Sequence, residues 1–470
     1  MSRSKLKIDI KKEKYIHFIF DIIAIIISLL FLNIVAESFI PDFSVPEAGF
    51  ASLLQAIFLI SFMGILERYS HITMSWNEKL VVFILSGFYS CLLMIIINLI
   101  VFHSTELVYA NAVLGVISVL MLILSGSIIE KILNSARLFE KPKILIIEDS
   151  KCENNRIKRI KYGIVNKFDP WYEQVDTNNI AEVKKFINEK FDDYDSICVL
   201  DNISVETYQL ICYESQLRKK DIYIVPKMLD VNCRRSKTER FDDILAVYIP
   251  NYAIGVLNSF IKRFIDIIGA VIAIILAAIP MLIISLAIKL TSPGPVFYKQ
   301  IRLTKGKKQF YIYKFRTMIP DAEKISGPTF AQKDDDRITK IGKILRNFRL
   351  DELPQLFNIL KGDMSIVGPR PERPFFVEQF EKEIDSYNYR FTVKAGLTSL
   401  SHVYGRYSTY IKDRTYYDLY YIMNYSLFLD LKIMLLTTKT IFLKSAAEGN
   451  DEYKLNNNGE LNKGVEELVR

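Results

Sequence analysis

The chain has 470 residues, a formal net charge of +8 and a hydrophobic fraction of 50%, with a mean hydropathy of +0.17. These values are too apolar for an ordinary soluble protein and too polar for a pure membrane bundle, so they predict a membrane part joined to water-facing domains. The basic residues flank apolar segments instead of forming one dense stripe, which favours anionic lipid or phosphate-bearing substrates and argues against nucleic acid. Five cysteines without CxxC spacing and four scattered histidines lack the pattern of a disulfide framework or a zinc site.

Four apolar runs in the N-terminal part of the chain are each about as long as a bilayer-crossing helix, roughly 20 residues. They are residues 16–35, 49–66, 80–101 and 108–129. They predict a four-helix transmembrane bundle within residues 1–140, in which Asp21 faces the bundle interior or lies near a helix end. No small-residue cleavage site closes the first run, which predicts a retained span and not a signal peptide.

The distribution of lysine and arginine predicts the orientation of this bundle. Basic residues precede the first run and follow the second and fourth, whereas the loops 37–47 and 103–106 contain none. Because basic residues collect on the cytoplasmic side of a membrane, both ends of the bundle are expected in the cytoplasm. The sequence thus predicts a multi-pass protein of the bacterial cytoplasmic membrane whose soluble parts face the cytoplasm.

Residues 141–254 have the pattern of a Rossmann-like α/β domain. Short β-rich runs at 144–147, 197–200 and 222–225 alternate with polar, helix-like stretches at 180–190 and 207–218, which predicts a parallel sheet. The first strand is followed by Glu-Asp-Ser-Lys, without the glycines of a dinucleotide-binding turn. A regulatory or structural role is therefore favoured over cofactor binding.

A fifth apolar run, residues 264–290, would be about 40 Å long as a straight helix and could simply cross the membrane. Two features favour a re-entrant helix over residues 262–291. Its flanks are both basic, with Lys262 and Arg263 before it and further lysines and arginines after it, so both ends prefer the cytoplasmic side. Pro280 lies in its second half, where it is expected to break or kink the helix. Both alternatives stay open on this pattern, since spanning helices also contain proline.

The remaining chain divides into an α-rich domain over residues 255–446 and a polar tail, 447–470. Residues 416–443 mix aromatic and aliphatic side chains with few charges, which predicts an amphipathic helical surface lying on the membrane or against the domain core.

Adjacent carboxylates at Asp351 and Glu352 precede a run with apolar residues at helical spacing. In the simpler interpretation, Asp351 is the N-cap of that helix, Glu352 complements its dipole and Pro354 lies in its first turn. In the functional interpretation, one carboxylate attacks phosphorus and the other holds Mg²⁺, which takes one or two protein carboxylates together with phosphate oxygens.

Several arginines surround this pair in the chain, and guanidinium groups match phosphate oxygens with paired donors. They are Arg302, Arg316, Arg346, Arg349, Arg370 and Arg373. Pro369, Arg370 and Pro371 form a rigid turn that would hold the arginine at a fixed angle. An ordinary basic surface is the alternative for any one of these residues.

Five motifs occur in one order between residues 259 and 444. They are Lys-Arg-Phe-Ile-Asp at 262–266, Ser-Pro-Gly-Pro-Val-Phe at 292–297, Lys-Phe-Arg-Thr-Met at 314–318, Arg-Leu-Asp-Glu-Leu-Pro-Gln at 349–355, and Gly-Asp-Met-Ser-Ile-Val-Gly-Pro-Arg-Pro at 362–371. This region closely resembles the bacterial sugar transferase family, the monotopic polyprenyl-phosphate phosphoglycosyl transferases. The bundle and α/β domain ahead of it resemble the long form of that family.

The resemblance implies a specific reaction. Asp351 would attack the β-phosphorus of a UDP-sugar and expel UMP, while Glu352 would hold Mg²⁺. Undecaprenyl phosphate would then take the sugar phosphate from Asp351, which initiates exopolysaccharide, capsule, O-antigen or glycoprotein glycan synthesis. Pro280 would mark the re-entrant break, and Pro369, Arg370 and Pro371 would bind the nucleotide sugar, with Arg302, Arg316, Arg346 and Arg349 as further substrate-binding residues.

The run 394–403 resembles the family's Lys-Pro-Gly-Leu-Thr-Gly element, which usually continues to a Gln-Val pair. Ala395, Ser399, Ser401 and His402 depart from that pattern and could alter sugar recognition or activity. The transferred sugar, the final glycan, a homodimer and association with polysaccharide assembly proteins stay open. An inert membrane sensor or an assembly scaffold is the alternative function.

Overall fold

The computed structural model describes residues 10–39, 45–69, 74–135, 142–149, 168–200, 203–225, 237–241, 244–248, 254–319, 337–384, 386–405 and 411–443. The chain divides into two compact units, Met1–Lys227 and Met228–Arg470. This division falls inside the segment 141–254 that the sequence assigns to the α/β domain. The predicted polar tail, 447–470, lies outside the described residues.

The first unit begins with four helices, α1 (Ile10–Phe39), α2 (Val45–Ile65), α3 (Trp76–Ile97) and α4 (Thr105–Ser135). All four contribute to one apolar cluster, which includes Ile25, Leu59, Phe83 and Leu122. These helices coincide with the four predicted apolar runs. Their assignment as a four-helix transmembrane bundle stays a prediction.

Three helices in the described part of the chain are long and apolar enough to cross a membrane, Trp76–Phe102, Leu107–Ile132 and Val256–Thr291. Shorter apolar stretches lie at Tyr15–Phe31 and Gly49–Ile65. The chain is therefore a membrane protein by the length and composition of its helices.

Asp21 is fully buried between the helices of the first unit. Its Oδ2 lies 3.2 Å from Nε of Arg68, three residues after the end of α2, and it accepts a hydrogen bond from the hydroxyl of Tyr69. The expectation that Asp21 faces the interior is confirmed. A buried carboxylate is tolerated there because it is paired with a cation.

A parallel four-stranded sheet follows, built from β1 (Lys143–Asp149), β2 (Asp169–Val175), β3 (Ser196–Val199) and β4 (Asp221–Ile224) in the order β2-β1-β3-β4. Helices α5 (Ile180–Lys190) and α6 (Val205–Leu217) connect the strands. The predicted parallel sheet and its helices are confirmed. Strand β2 was not predicted, since it is a partly exposed edge strand of mixed polarity.

The second unit begins with an antiparallel hairpin, β5 (Lys237–Phe241) and β6 (Ile244–Tyr248), and continues into the long helix α7 (Val256–Thr291). Its further helices are α8 (Lys340–Asn347), α9 (Gln355–Lys361), α10 (Pro374–Glu383), α11 (Leu400–Tyr404), α12 (Ile411–Met423) and α13 (Leu427–Phe442). The predicted amphipathic surface 416–443 is thus divided between α12 and α13.

Two small sheets also lie in this unit. Strands β7 (Phe297–Leu303) and β8 (Gln309–Phe315) pair antiparallel, and β9 (Met364–Val367) pairs in parallel with β10 (Ala395–Thr398). These strands were not predicted within a domain expected to be α-rich, because their pairing depends on residues far apart in sequence.

Helix α7 runs through Pro280 as one helix of 36 residues without an interruption, whereas a kink at Pro280 stays a prediction. Proline removes one backbone hydrogen bond, and a long apolar helix tolerates that loss without ending. Side chains on both sides of the proline pack on the same domain. Ala270 joins a cluster with Phe310 and Ile359, whereas Ile288 packs with Phe315 and Leu345.

Polar contacts also connect both ends of α7 to this domain. Arg263 donates to the carbonyl oxygens of Ile359 and Leu360 at the end of α9, at 2.6 and 2.8 Å. Residues Ser292 and Pro293 follow α7, and their carbonyl oxygens accept hydrogen bonds from the guanidinium of Arg316, both at 2.9 Å.

Candidate active site

Asn358 joins helix α9 to strand β8. Its Oδ1 accepts the N–H of Tyr313 at 3.0 Å, and its Nδ2 donates to the carbonyl of Tyr311 at 2.7 Å. The residue is fully buried. Because it satisfies two backbone groups of one strand, Asn358 fixes the register of the helix against the strand and brings the turn before α9 beside Lys314.

The adjacent carboxylates lie in a 3-10 turn, Leu350–Glu352, directly before α9. The turn follows Arg349, whose φ of 54° is left-handed, a costly conformation for any residue that carries a Cβ. Pro354 is the N-cap of α9, so the expectation that Asp351 caps the helix is wrong. Arg349 turns the chain before the 3-10 turn, so Asp351 lies in that turn and does not cap α9.

Lys314 lies beside both carboxylates. Its Nζ is 2.8 Å from Oε1 of Glu352 and 3.9 Å from Oδ2 of Asp351. The side chains of the two acids are each 12% exposed. Lys314 belongs to the motif at 314–318 but was not predicted as a site residue. Lys314 lies near the end of β8, and its position beside the pair is set by the β8–α9 register, which sequence spacing does not reveal.

Arg370 supplies a second cation. Its Nη2 lies 3.2 Å from Oε1 of Glu352. The residue belongs to the turn Pro369–Pro371, which follows β9, and both prolines are buried.

Two glycines allow this turn to lie close to β10. The N–H of Gly368 donates to the carbonyl of Thr398, and the N–H of Gly396 donates to the carbonyl of Pro369. A Cβ on Gly396 would lie 2.1 Å from the nitrogen of Gly368, and one on Gly368 would lie 2.4 Å from the oxygen of Lys394. Only glycine fits at these two positions, which explains why both motifs contain it.

Arg346 and Arg349 complete the cationic surroundings of the pair. Nε of Arg346 donates to the hydroxyl of Thr317 at 2.9 Å, and its charge favours the ionised form of Asp351. The charge of Arg349 acts in the same way on Glu352. Of the predicted arginines, the structure thus brings Arg346, Arg349 and Arg370 to the carboxylates.

Arg302 and Arg316 have other partners. The guanidinium of Arg302 binds Oε1 of Gln300 at 2.6 and 3.0 Å and the carbonyl of Pro371 at 3.2 Å, so it holds the Pro369–Pro371 turn. Arg316 holds the end of α7, as described above. Both arginines are placed to position the site, and their predicted contact with substrate stays a prediction.

The two carboxylates have opposite pKa shifts. Burial raises the pKa of Asp351 above its usual value, and the neighbouring charge of Glu352 adds to the rise although Lys314 opposes it. Burial alone would raise the pKa of Glu352 as well, but Lys314 and Arg370 together outweigh burial and hold that pKa well below its usual range. The surroundings therefore favour the ionised form of Glu352, while Asp351 is the more basic and more easily protonated partner.

The segment with family departures lies beside Arg370. Ser399 is the N-cap of α11, and its Oγ accepts the N–H of His402 at 3.1 Å. Nε2 of His402 lies 3.0 Å from Nη1 of Arg370. Ala395 is buried, and its N–H donates to the hydroxyl of Thr304. His402 therefore lies at the candidate site, although the sequence indicated it only as a departure from the family pattern.

Whether the site suits Mg²⁺ can be judged from its donors. No group of three or more His, Cys, Asp and Glu side chains within the described ranges is arranged to hold a metal ion. Mg²⁺ does not need such a cage, since it is commonly bound through one or two carboxylates together with substrate phosphate and water. Lys314 and Arg370 both contact Oε1 of Glu352. Oε2 of Glu352 and the carboxylate of Asp351 are further oxygen donors, so the residues fit the ion.

Comparison with known proteins identifies the family. The family model described as bacterial sugar transferase matches residues 257–444. A UDP-glucose:undecaprenyl-phosphate glucose-1-phosphate transferase of Caulobacter vibrioides is 41% identical over 187 residues, which cover 38% of this chain and 69% of that protein. The chain belongs to the bacterial sugar transferase family. Asp351, Glu352, Lys314, Arg370 and His402 all lie within the matched residues.

Two longer members of the bacterial sugar transferase family match the same part of the chain. A UDP-N-acetylgalactosamine-undecaprenyl-phosphate N-acetylgalactosaminephosphotransferase of Aeromonas hydrophila is 48% identical over 188 residues, 39% of this chain and 44% of that protein. A UDP-glucose:undecaprenyl-phosphate glucose-1-phosphate transferase of Klebsiella pneumoniae is 37% identical over 233 residues, 48% of this chain and 50% of that protein. The chain therefore matches about half the length of these relatives.

Proposed function

We propose that the protein transfers a sugar 1-phosphate from a UDP-sugar to undecaprenyl phosphate, with release of UMP. The observation that carries this proposal is the contact of Lys314 and Arg370 with Glu352, directly beside Asp351. The site combines one carboxylate of raised pKa, one carboxylate of lowered pKa and two cations, a combination that suits a reaction between an anionic nucleophile and a diphosphate. The UDP-sugar and undecaprenyl-phosphate substrates of the relatives support the same assignment.

In the first step, a carboxylate oxygen of Asp351 attacks the β-phosphorus of the UDP-sugar. The bond between that phosphorus and the bridging oxygen breaks, UMP leaves with the electron pair, and the sugar phosphate is joined to Asp351 as an acyl phosphate. In the second step, a phosphate oxygen of undecaprenyl phosphate attacks the same phosphorus and releases the Asp351 carboxylate.

The basicity of Asp351 suits this role. A carboxylate whose pKa is raised by burial is a better nucleophile once ionised than one of ordinary pKa, and the charge of Lys314, 3.9 Å away, favours its ionised form. Lys314, Arg346 and Arg370 reduce the repulsion between the carboxylate and the incoming diphosphate.

Glu352 would hold Mg²⁺, which when bound would screen the charge of the diphosphate and of the leaving UMP. Arg370 and Lys314 orient Glu352 from one side of its carboxylate. The orientation of the predicted metal ligand therefore depends on both cationic neighbours.

We also propose that α7 is re-entrant, with both ends on the cytoplasmic side and a bend at Pro280 that does not interrupt the helix. Arg263 and Asp266 near the start of α7, and Ser292 directly after it, all bind elements of the same domain. A straight crossing would separate these ends by more than the hydrocarbon core, about 30 Å. Side chains at 275, 276, 279 and 282 are about 70% exposed in the middle of the helix, as expected for a segment covered by lipid.

In this arrangement the catalytic domain lies at head-group level on the cytoplasmic side of the bacterial inner membrane, and the first unit adds the multi-pass bundle. One substrate is water-soluble and the other is a long lipid, so a site at this level is accessible to both. The exposed apolar side chains of α7 provide the contact with lipid.

The test uses the full-length protein in nanodiscs with Mg²⁺ and a panel of UDP-sugars that includes UDP-N-acetylgalactosamine and UDP-glucose. Without undecaprenyl phosphate, one equivalent of UMP and a sugar-phosphate adduct on the peptide containing Asp351 are expected by mass spectrometry. With the lipid, turnover is expected. Asp351→Asn should form neither adduct nor product. Lipid product without an adduct on Asp351 would contradict the mechanism, and no turnover with any donor would contradict the function.

A further inference from the structure

The side chain of Arg370 is held on two sides. Its Nη2 lies 3.2 Å from Oε1 of Glu352, and its Nη1 lies 3.0 Å from Nε2 of His402. One face of the guanidinium therefore contacts the carboxylate predicted to hold the metal, and another contacts a histidine ring that the sequence singled out only as a departure from the family pattern.

The main chain of Arg370 is held as well. Its carbonyl oxygen accepts a hydrogen bond from Nη2 of Arg390 at 2.8 Å. Arg390 is 4% exposed and forms an ion pair with Asp418, 2% exposed, at 2.8 Å. A buried, hydrogen-bonded ion pair fixes its partners strongly, because separating the two charges leaves each without compensation.

The segment that contains His402 is connected to the same ion pair. The hydroxyl of Ser401 donates to Oδ1 of Asp418 at 3.1 Å, and it lies 2.9 Å from the hydroxyl of Ser399. This segment therefore contacts Arg370 in two ways. His402 contacts its side chain directly. Ser401 is linked to its carbonyl oxygen through Asp418 and then Arg390.

The electrostatic surroundings make His402 an acceptor. Burial, together with the charges of Arg370 and Arg349, holds the pKa of His402 well below its usual range, so the ring is neutral. A guanidinium only donates, and a neutral imidazole has one nitrogen that accepts. Nη1 of Arg370 lies 3.5 Å from Nδ1 and 3.0 Å from Nε2, so Nε2 is the nearer of the two ring nitrogens.

We propose that His402 is a positioning residue for the donor half of the reaction: it directs the guanidinium of Arg370 toward Glu352 and the diphosphate of the UDP-sugar. This inference rests on the proposed function. Its chemistry is acceptance of one hydrogen bond from Arg370, which an amide oxygen at the same place would also provide and an alkyl side chain would not.

The consequence is predicted to fall mainly on the KM of the UDP-sugar. Without an acceptor, Nη1 of Arg370 loses a partner and the guanidinium leaves its fixed orientation, so the diphosphate loses one pre-oriented cation. Loss of one hydrogen bond to a charged group corresponds to roughly ten-fold or more in affinity.

The experiment compares His402→Leu, His402→Gln and a control, Tyr404→Phe, in the full-length protein in nanodiscs. Tyr404 lies in the same helix and stacks on Tyr417, and phenylalanine keeps that stacking. UMP release is measured against UDP-sugar concentration at saturating Mg²⁺ and undecaprenyl phosphate, and the unfolding temperature of each variant is recorded.

We expect the KM of the UDP-sugar to rise about ten-fold or more in His402→Leu, with a much smaller change in kcat. His402→Gln is expected to restore KM to within about three-fold of wild type, and Tyr404→Phe is expected to match wild type. If leucine leaves KM unchanged, or if glutamine is as impaired as leucine while both unfold at the wild-type temperature, the inference is overturned.

His402→Gln tests the inference even if His402→Leu does not fold. A glutamine variant with wild-type stability but a KM for the UDP-sugar as high as that expected for leucine would reject the inference. Absence of UMP release by the wild-type protein would instead reject the proposed function before any variant is compared. The two failures are therefore distinguishable.

Discussion

The Nζ of Lys314 lies 2.8 Å from Oε1 of Glu352. Strand β8 ends at this point, and the 3-10 turn that contains both acids begins on the other side of the contact. Lys314 also lies 3.9 Å from Asp351, so its charge favours the ionised form of both carboxylates.

Replacement of this lysine should change the pH dependence of the reaction. In Lys314→Met the pKa values of Asp351 and Glu352 both rise, because each carboxylate loses a cation that favours its charged form. The acid limb of the pH–rate profile should move to higher pH, and kcat should fall about ten-fold or more.

The measurement is kcat for UMP release between about pH 5 and pH 9. Lys299→Met is the matched control, since Lys299 is exposed on β7 and its Nζ lies over the ring of Tyr313. An acid limb at the wild-type position in Lys314→Met would show that this lysine does not control the pair.

Asp351→Asn should remove activity and stabilise the fold at neutral pH. A carboxyl whose folded-state pKa is raised contributes most to stability below its unfolded-state pKa, and that contribution is lost as the pH rises through the folded-state value. Above the folded-state pKa, the ionised and buried carboxylate of Asp351 therefore lowers the free energy of unfolding, and the neutral amide avoids this cost.

The unfolding temperature of Asp351→Asn should exceed that of wild type by about 2–4 °C for each kcal/mol recovered. The difference should shrink as the pH is lowered toward the unfolded-state pKa of aspartate, about 3.9. A variant that unfolds at a lower temperature than wild type at neutral pH would show that the Asp351 charge is stabilising.

Removal of Mg²⁺ should stop the reaction. Excess EDTA is expected to abolish UMP release, and added Mg²⁺ is expected to restore it. In Glu352→Gln the Mg²⁺ concentration for half-maximal activity should rise about ten-fold or more, because the amide carries no charge to hold the ion. Undiminished turnover of the wild type in EDTA would rule out the assigned role of Glu352.

Gly396→Ala should destabilise the catalytic domain. The added Cβ would lie 2.1 Å from the nitrogen of Gly368, and backbone atoms cannot move aside as a flexible side chain can. The expected loss in free energy of unfolding is about 2 kcal/mol or more, with loss of activity because the Pro369–Pro371 turn is displaced.

Gly255→Ala is the control for this substitution, since a Cβ there meets nothing within 4 Å. Its unfolding temperature should match that of wild type. Equal stability of the two alanine variants would show that β9 and β10 do not need their close approach.

The apolar helices and buried strands were predictable because their signal is local. The runs that became α1 to α4 are continuous in sequence, and β1 and β3 are short apolar segments with polar neighbours. Strand β2 was missed because its side chains alternate between exposed and partly buried, so its sequence resembles that of a loop.

The site was predictable only in part. Asp351, Glu352 and Arg370 were identified from motifs, but the roles of Lys314 and His402 depend on contacts between distant segments, such as the Asn358 bonds to β8. The N-cap assignment of Asp351 failed because propensities do not reveal the left-handed Arg349. A motif also does not show which neighbour a side chain will contact, and the contacts of Arg316 with Ser292 and Pro293 at the end of α7 were therefore not predicted.

Asp266 links α7 to the strand that leads into Arg370. Its Oδ1 accepts the hydroxyl of Ser365 at 3.0 Å and the N–H of Ile366 at 2.9 Å, and it is buried. If α7 lies in lipid as proposed, a change in its lipid surroundings is expected to disturb the strand that leads into the Pro369–Pro371 turn. In purification, specific activity is then expected to fall with poor detergent choice or lipid stripping before the unfolding temperature does.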